Sequence, residues 1–176
     1  MEFFTTHPSP VGRLTLGSDG QYLIGLWIEG QKYFGSTLGG AVSEKGDLPV
    51  FMAAKEWLER YFAGERPRPD TLPLCLKGSI FQQRVWKLLC EIPYGEVTTY
   101  GMLASKVAEQ MKRHSMSGQA VGGAVGRNPL SIIIPCHRVV GSDGSLTGYA
   151  GGINTKVSLL KLEGADLTNL YVPKKK

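Results

Sequence analysis

Cys136 is followed at once by His137 and Arg138 in the run Ile134-Pro135-Cys136-His137-Arg138-Val139-Val140. A free thiol titrates near 8.5, so only about 3% is thiolate at neutral pH, and the thiolate is the nucleophile. A neighbouring base or positive charge raises that fraction. The stretch therefore brings together an acceptor, a proton carrier and a cation. Adjacency in sequence is not a hydrogen bond, however. The apolar residues before the cysteine read as a strand ending at Cys136, and successive side chains on a strand point to opposite faces. A buried structural cysteine beside a surface histidine carries the same local signature.

The elements that must position these groups can be read on either side. Residues 13–16 and 22–27 alternate as strands around a Ser18-Asp19-Gly20 turn, which predicts a hairpin ended by Gly30 and followed by a Gly/Ser-rich loop. Leu48, Phe51, Met52, Leu58, Tyr61 and Phe62 fall at helical spacing, with Gly64 as a stop and Trp57 in the same core stripe. The run Arg66-Pro67-Arg68-Pro69-Asp70-Thr71-Leu72-Pro73 can neither continue a helix nor sit in a central strand. It reads as a linker, and the expected domains are residues 1–76 and 77–176.

The second half reads as mainly helical. Phe81, Val85, Leu88, Leu89 and Ile92 mark one amphipathic helix, and Pro93-Tyr94-Gly95 ends it. Thr99 can cap a second helix along Leu103, Ala104, Val107 and Ala108, and Ser117 a third. These two resemble a helix-turn-helix, a weak signal in any helical domain. The third helix is nearly without bulk: Gly118, Ala120, Gly122, Gly123, Ala124 and Gly126 lower helix propensity but allow close approach of a neighbouring helix or a nucleic-acid groove. Asn128-Pro129 then turns the chain into a strand-like Ile132-Ile133-Ile134. A last helix from about Asn154 carries Val157, Leu160 and Leu162 as apolar positions, and Gly164 closes it. The fold class expected is α+β: a small antiparallel sheet with a helix first, a mostly helical domain second.

The Pro-Cys-His-Arg segment does not stand alone. It follows Ala120-Val121-Gly122-Gly123-Ala124-Val125-Gly126-Arg127-Asn128-Pro129, with Ile92-Pro93-Tyr94-Gly95-Glu96-Val97-Thr98-Thr99-Tyr100 upstream and Leu146-Thr147-Gly148-Tyr149-Ala150-Gly151-Gly152 downstream. In these ordered motifs, from about Phe81 to Gly164, the chain resembles the methylated-DNA–protein-cysteine methyltransferases, or O6-alkylguanine-DNA alkyltransferases. The N-terminal half resembles them only in its hairpin-and-helix pattern. The resemblance implies a ribonuclease H-like first domain and a winged-helix-like second domain.

It also implies roles. Cys136 would accept an alkyl group from the 6-oxygen of guanine in double-stranded DNA, in an irreversible, stoichiometric reaction without a cofactor. His137 would act as base through a bound water, and Glu163 would orient it, by the logic of hydrolase triads. Asn128 would brace the turn beside the site. The target atom lies inside a duplex, so the base must be flipped out. Tyr149 would donate toward the guanine oxygen, the backbone at Cys136 and Val139 would accept from the exocyclic amine, and Ala150, Gly151 and Gly152 would leave room for the alkyl group. The small-residue helix, with Gly122 and Gly123, would enter the minor groove. Tyr100 would press on a phosphate, backbone amides at Thr99 and Ala120 would hold others, and Arg127 would contact one more. Gln119 stands where relatives often carry an intercalating arginine, and it lacks the charge and the planar cationic face.

Composition bounds the rest. The chain has 176 residues, 42% hydrophobic and 20% charged, which suits a globular protein, and a net charge of +5 compatible with a polyanionic partner. No stretch approaches a membrane span, and no secretory signal is visible at the N-terminus. Three widely spaced cysteines point to a reducing compartment, most simply the cytoplasm. Some relatives carry zinc in the first domain, but here no cysteine precedes Cys75 and His7 is the one early histidine, so no metal is expected. A monomer is the default expectation. The competing readings are a non-catalytic alkyl-lesion-binding protein, which would lack the acceptor cysteine, and a cysteine hydrolase, which would need an oxyanion hole.

Overall fold

The structure is a computed structural model that describes residues 1–174; Lys175 and Lys176 lie outside the described residues. The chain divides into two compact units. The first is Met1–Lys77 together with Pro129–Ile133; the second is Gly78–Asn128 with the chain from Ile134 onward.

In the first unit, β1 (Glu2–His7), β2 (Leu14–Ser18), β3 (Leu23–Ile28) and β4 (Val42–Glu44) form one sheet in the order β3-β2-β1-β4. The first three strands are antiparallel and β4 joins β1 in parallel. The expected hairpin is β2–β3, and its turn is closed by Asp19 Oδ1, which accepts from the amides of Gln21 and Tyr22 at 2.9 and 2.8 Å. Gly25 admits no side chain, because a Cβ there would sit 2.0 Å from the Trp27 ring. Helix α1 (Pro49–Phe62) covers the sheet with Val50, Phe51, Ala54, Trp57, Leu58 and Tyr61 buried, whereas Met52 is exposed.

Two expectations change here. The Pro-rich run is not a free linker: Pro69–Thr71 forms a 3-10 turn, and the Trp57 indole donates to the Arg68 carbonyl at 2.9 Å. Nor is Ile132-Ile133-Ile134 a strand. Leu130 makes one isolated bridge to Leu26, after which Ile132 takes φ of 73° and the chain turns. Pro129 and Pro135 bracket this segment and remove the amides that a longer ladder would need.

The second unit is mostly helical: α2 (Ile80–Leu89), α3 (Tyr100–Gln110), α4 (Gly118–Gly126) and α5 (Ile153–Leu162). Each of the first three begins at a side-chain cap. Ser79 accepts from Gln82 N in a full capping box, Thr99 from Met102 N at 3.1 Å, and Ser117 from Ala120 N at 3.2 Å. Such caps typically contribute about 1 kcal/mol each. Val85, Trp86, Leu89, Leu103, Val107, Val121 and Val125 are buried where α2, α3 and α4 meet, and the Trp86 indole donates to Ala124 O at 2.8 Å. A short parallel pair, β5 (Thr98–Thr99) and β6 (Val139–Val140), ties the start of α3 to the chain just after Cys136. On α5 the buried residues are Lys156, Leu159 and Leu160; of the expected apolar positions Leu160 lies in the core, Val157 packs partly buried against it, and Leu162 is exposed.

Candidate active site

Cys136 does not end a strand. Cys136–Arg138 is a single 3-10 turn, closed by Arg138 N donating to Pro135 O at 3.0 Å. One residue occupies about a third of such a turn, so neighbouring side chains diverge. All three are nevertheless buried, because α5 packs against the turn.

Glu163, at the C-terminal end of α5, gathers four donors. Its Oε1 accepts from Arg138 Nε at 2.8 Å and from Gly95 N at 3.2 Å; its Oε2 accepts from Arg138 Nη2 at 3.0 Å and lies 2.6 Å from His137 Nε2. Burial disfavours its charge, but the hydrogen bonds and charges of His137 and Arg138 outweigh this and hold the carboxyl well below its ordinary range. An ionised carboxylate only accepts, so His137 Nε2 must carry the proton. Burial also pushes the imidazole down from 6.5, against the pull of Glu163, so His137 is neutral. Its Nδ1 is then a buried lone pair with no hydrogen-bond partner among the described residues. That is the form a general base needs.

The thiol of Cys136 is pushed up by burial, and pulled back by a hydrogen bond from the Asn128 side chain and by the charge of Lys156. Asn128 is itself buried, and its Nδ2 donates to Ile134 O at 2.8 Å. Buried Tyr149 lies edge-on to the His137 ring, with centroids 6.4 Å apart. Ala150 and Gly151, both half-buried, follow it into the start of α5. The Val139 carbonyl accepts from Lys156 Nζ at 2.5 Å. Tyr100 Oη donates to Thr147 O at 3.4 Å, and burial together with the nearby Cys136 charge pushes its phenol up to about 12.

Cys136, His137, Asn128, Glu163, Val139, Tyr149 and Tyr100 are therefore gathered in one unit. The DNA-binding candidates other than Tyr100 lie on α4 and at the helix caps Thr99 and Arg127. Gln119, Ala120, Gly123 and Arg127 are exposed, and open space lies above a would-be Cβ at Gly118, Gly123 and Gly126. Gly122 differs, since it packs toward the Tyr100 ring. The Thr99 hydroxyl is engaged in its cap. Among the described residues, no cluster of His, Cys, Asp or Glu could hold a metal ion.

Two participants were not legible as such. Arg138 reads only as a neighbouring cation, yet it neutralises Glu163 from both oxygens, reaches Ile92 O at 2.6 Å and stacks over Tyr94. Lys156 was missed altogether. Its signal is its place three and four residues before Leu159 and Leu160, on the buried face of α5.

Comparison with known proteins bears on this site directly. A family model described as the DNA-binding domain of 6-O-methylguanine DNA methyltransferase matches residues 80–165, and one described as the ribonuclease-like domain of that protein matches residues 3–76. A methylated-DNA–protein-cysteine methyltransferase of Haemophilus influenzae is 44% identical over 92% of this chain and 86% of its own. The chain belongs to the 6-O-methylguanine DNA methyltransferase family. A protein of the same name from Mycobacterium tuberculosis is 44% identical over 96% of this chain and 98% of its own. The crystal structure of the M. tuberculosis O6-methylguanine methyltransferase superposes with a TM-score of 0.78 at 44% identity, covering 96% of this chain and 98% of that one. Another crystal structure, of the M. tuberculosis protein in complex with DNA, gives 0.78 at 43% identity and 92% coverage of both chains. The α+β class, with a ribonuclease-like first domain, is thus that of the family. This methyltransferase has DNA as its partner, and among the described residues no helix is long and apolar enough to cross a membrane.

Proposed function

We propose that this DNA-repair methyltransferase moves a methyl or larger alkyl group from the 6-oxygen of guanine, in double-stranded DNA, onto Cys136 Sγ, once per molecule and irreversibly. The observation that carries the reading is the neutral, buried His137 whose free Nδ1 lone pair is set by the ionised Glu163 behind it. His137 takes the thiol proton through a water molecule. The thiolate attacks the alkyl carbon, the S–C bond forms as the C–O bond breaks, and the electron pair leaves on the guanine oxygen. Tyr149 donates toward that oxygen, and the proton held by His137 returns to the base. The products are unmodified guanine and a neutral thioether, so atoms and charge balance without a cofactor.

The reaction needs a flipped base, and α4 supplies a face that can lie close to DNA from the minor-groove side. Its exposed glycines leave room, Gln119 can fill the vacated stack, and Thr99, Ala120 and Arg127 supply amides and a cation for phosphates. Tyr100 helps rotate the nucleotide. The Val139 carbonyl, already bound by Lys156, keeps a second lone pair for the exocyclic amine. Ala150 and Gly151 leave space for the alkyl group. We assign binding and chemistry to residues 77–176 and a supporting role to residues 1–76, in a monomer working in the cytoplasm.

The test is intact-protein mass after mixing with a duplex that carries one 6-O-methylguanine. A gain of one methyl group on Cys136 is expected, absent with undamaged DNA and in Cys136→Ser. Tight binding without a mass change would replace this reading with lesion recognition alone. A duplex carrying 4-O-methylthymine tests whether the pocket also accepts that base.

A further inference from the structure

Lys156 is a lysine inside a protein core. Its side chain is wholly buried, with 0% of its surface exposed, and it is among the largest fully buried side chains. Among the described residues no carboxylate pairs with it. Its ammonium instead donates to two carbonyls, Val139 O at 2.5 Å and Thr147 O at 3.0 Å. Val139 is the residue immediately after the Cys136–Arg138 turn, and Thr147 lies two residues before Tyr149. One nitrogen therefore joins the acceptor's turn to the Tyr149 loop.

Carbonyl dipoles solvate a cation but do not neutralise it, and an uncompensated buried charge is costly. Among the described residues, the ionisable group whose charge Lys156 feels is Cys136. We propose that Lys156 is a positioning residue whose ammonium is the buried countercharge of the Cys136 thiolate, while its two carbonyl bonds hold the thiolate's turn against the Tyr149 loop.

The groups facing this pair fit that assignment. Glu163 is saturated by His137, Arg138 and Gly95 and has no lone charge to spare for Lys156. His137 is neutral, and Tyr100 is a neutral phenol at working pH. Arg138 is committed to Glu163. Lys156 and Cys136 each feel the other's charge; burial brings the ammonium down to about 8 and pushes the thiol up. Two sites coupled in this way titrate as a pair. Alkylation then has an electrostatic consequence: the thioether is neutral, so the ammonium loses its counterion once the reaction is over.

The inference rests on Cys136 being the acceptor, but its test contains no DNA and so stands apart from the transfer assay. The rate at which iodoacetamide modifies Cys136, followed by mass spectrometry of its peptide across pH, reports the thiolate fraction. In Lys156→Met the profile should move up by about one pH unit or more, as expected on removing a nearby opposite charge, with about tenfold less thiolate at neutral pH. Lys156→Arg, which keeps the charge, should restore most of it. An unmoved profile in a folded Lys156→Met protein overturns the proposal. A measurement on side-chain NMR of Lys156 covers the case in which the methionine variant does not fold. Coupling is reciprocal, so Lys156 should release its proton at lower pH in Cys136→Ser than in the unsubstituted protein, and identical titrations would equally overturn the proposal.

Discussion

Replacing Glu163 with glutamine removes one negative charge and almost no volume, so its effects can be worked from the hydrogen bonds. Four N–H groups converge on the two oxygens of Glu163. A carboxamide has one acceptor oxygen, and its NH2 must face two of those donors. If the NH2 replaces Oε2, it meets Arg138 Nη2, which cannot accept, and can donate to His137 only when the imidazole moves its proton to Nδ1, which turns the catalytic lone pair into a donor. If it replaces Oε1, Gly95 N and Arg138 Nε lose their acceptor. Either way Arg138, with only 10% of its side chain exposed, loses its counterion. Breaking one partner of a buried pair costs about 3–5 kcal/mol. Arg138 keeps Ile92 O and Tyr94, so the lower end, about 3 kcal/mol, is expected in a urea titration. For the reaction, losing a positioned base lowers the rate by about 10²–10⁴, and the wrong tautomer alone has reached about 10⁴ in a serine-protease triad. The assay is single-turnover methyl transfer from a 6-O-methylguanine duplex, with folding checked by circular dichroism. The defect should shrink as pH rises, because the thiolate then forms without help. A folded Glu163→Gln protein that transfers at the unsubstituted rate at neutral pH would refute the triad argument.

Asn128→Ala leaves Ile134 O without its buried donor and Cys136 without a hydrogen bond that favours the thiolate, so stability should drop by about 1–3 kcal/mol and the thiol should titrate higher. Urea unfolding and thiol titration measure the two effects, and no change in either would count against the bracing role. Gly148→Ala places a Cβ 2.6 Å from Tyr100 Oη at φ of +85°, a conformation that side chains avoid. It should lower stability by at least about 1 kcal/mol and slow transfer, and a neutral outcome in both assays would show that this loop yields easily. Gln119→Arg adds a cation on the exposed face of α4, so DNA affinity should rise and the slope of log K against log salt should steepen by about 0.9; an unchanged slope would remove this face from the interface. Acid should destabilise the fold in two stages. His137 binds its proton less readily when folded than its ordinary 6.5, so stability is full above that value and declines as pH falls below it. Glu163, held below 4.5, adds its own loss as pH drops further and the carboxylate is forced to protonate. Urea midpoints that stay flat from neutral pH to about pH 4 would contradict the His137 assignment, and no further loss below about pH 4 would contradict that of Glu163.

Much of the molecule could be read locally. The β2–β3 hairpin follows from alternation around Ser18-Asp19-Gly20, and α1, α2 and α3 follow from apolar periodicity, since each of these signals lies within a few residues of chain. Thr99 and Ser117 announced their helix starts because a cap reaches only three residues ahead. The ordered motifs around Pro-Cys-His-Arg were enough to place the chain in its family, a membership the comparisons establish.

Other features depend on partners distant in sequence. Strand β1 has little meaning without β2, and Val42–Glu44 is a strand only because β1 offers it an edge. The Ile132-Ile133-Ile134 run has strand composition, but two prolines and a single bridge to Leu26 leave it no ladder. Glu163 in isolation is a charged residue at a helix end. Packing of α5 against the Cys136–Arg138 turn makes it a buried carboxylate with two cationic or imidazole partners 25 and 26 residues away. The same packing buries Lys156 with carbonyls 9 and 17 residues distant. Sequence alone determined which reactive groups the protein owns, because residue types and short spacings are covalent facts. Tertiary structure decided their protonation, since the charge a buried group carries depends on the solvent it loses and on the partners that replace it.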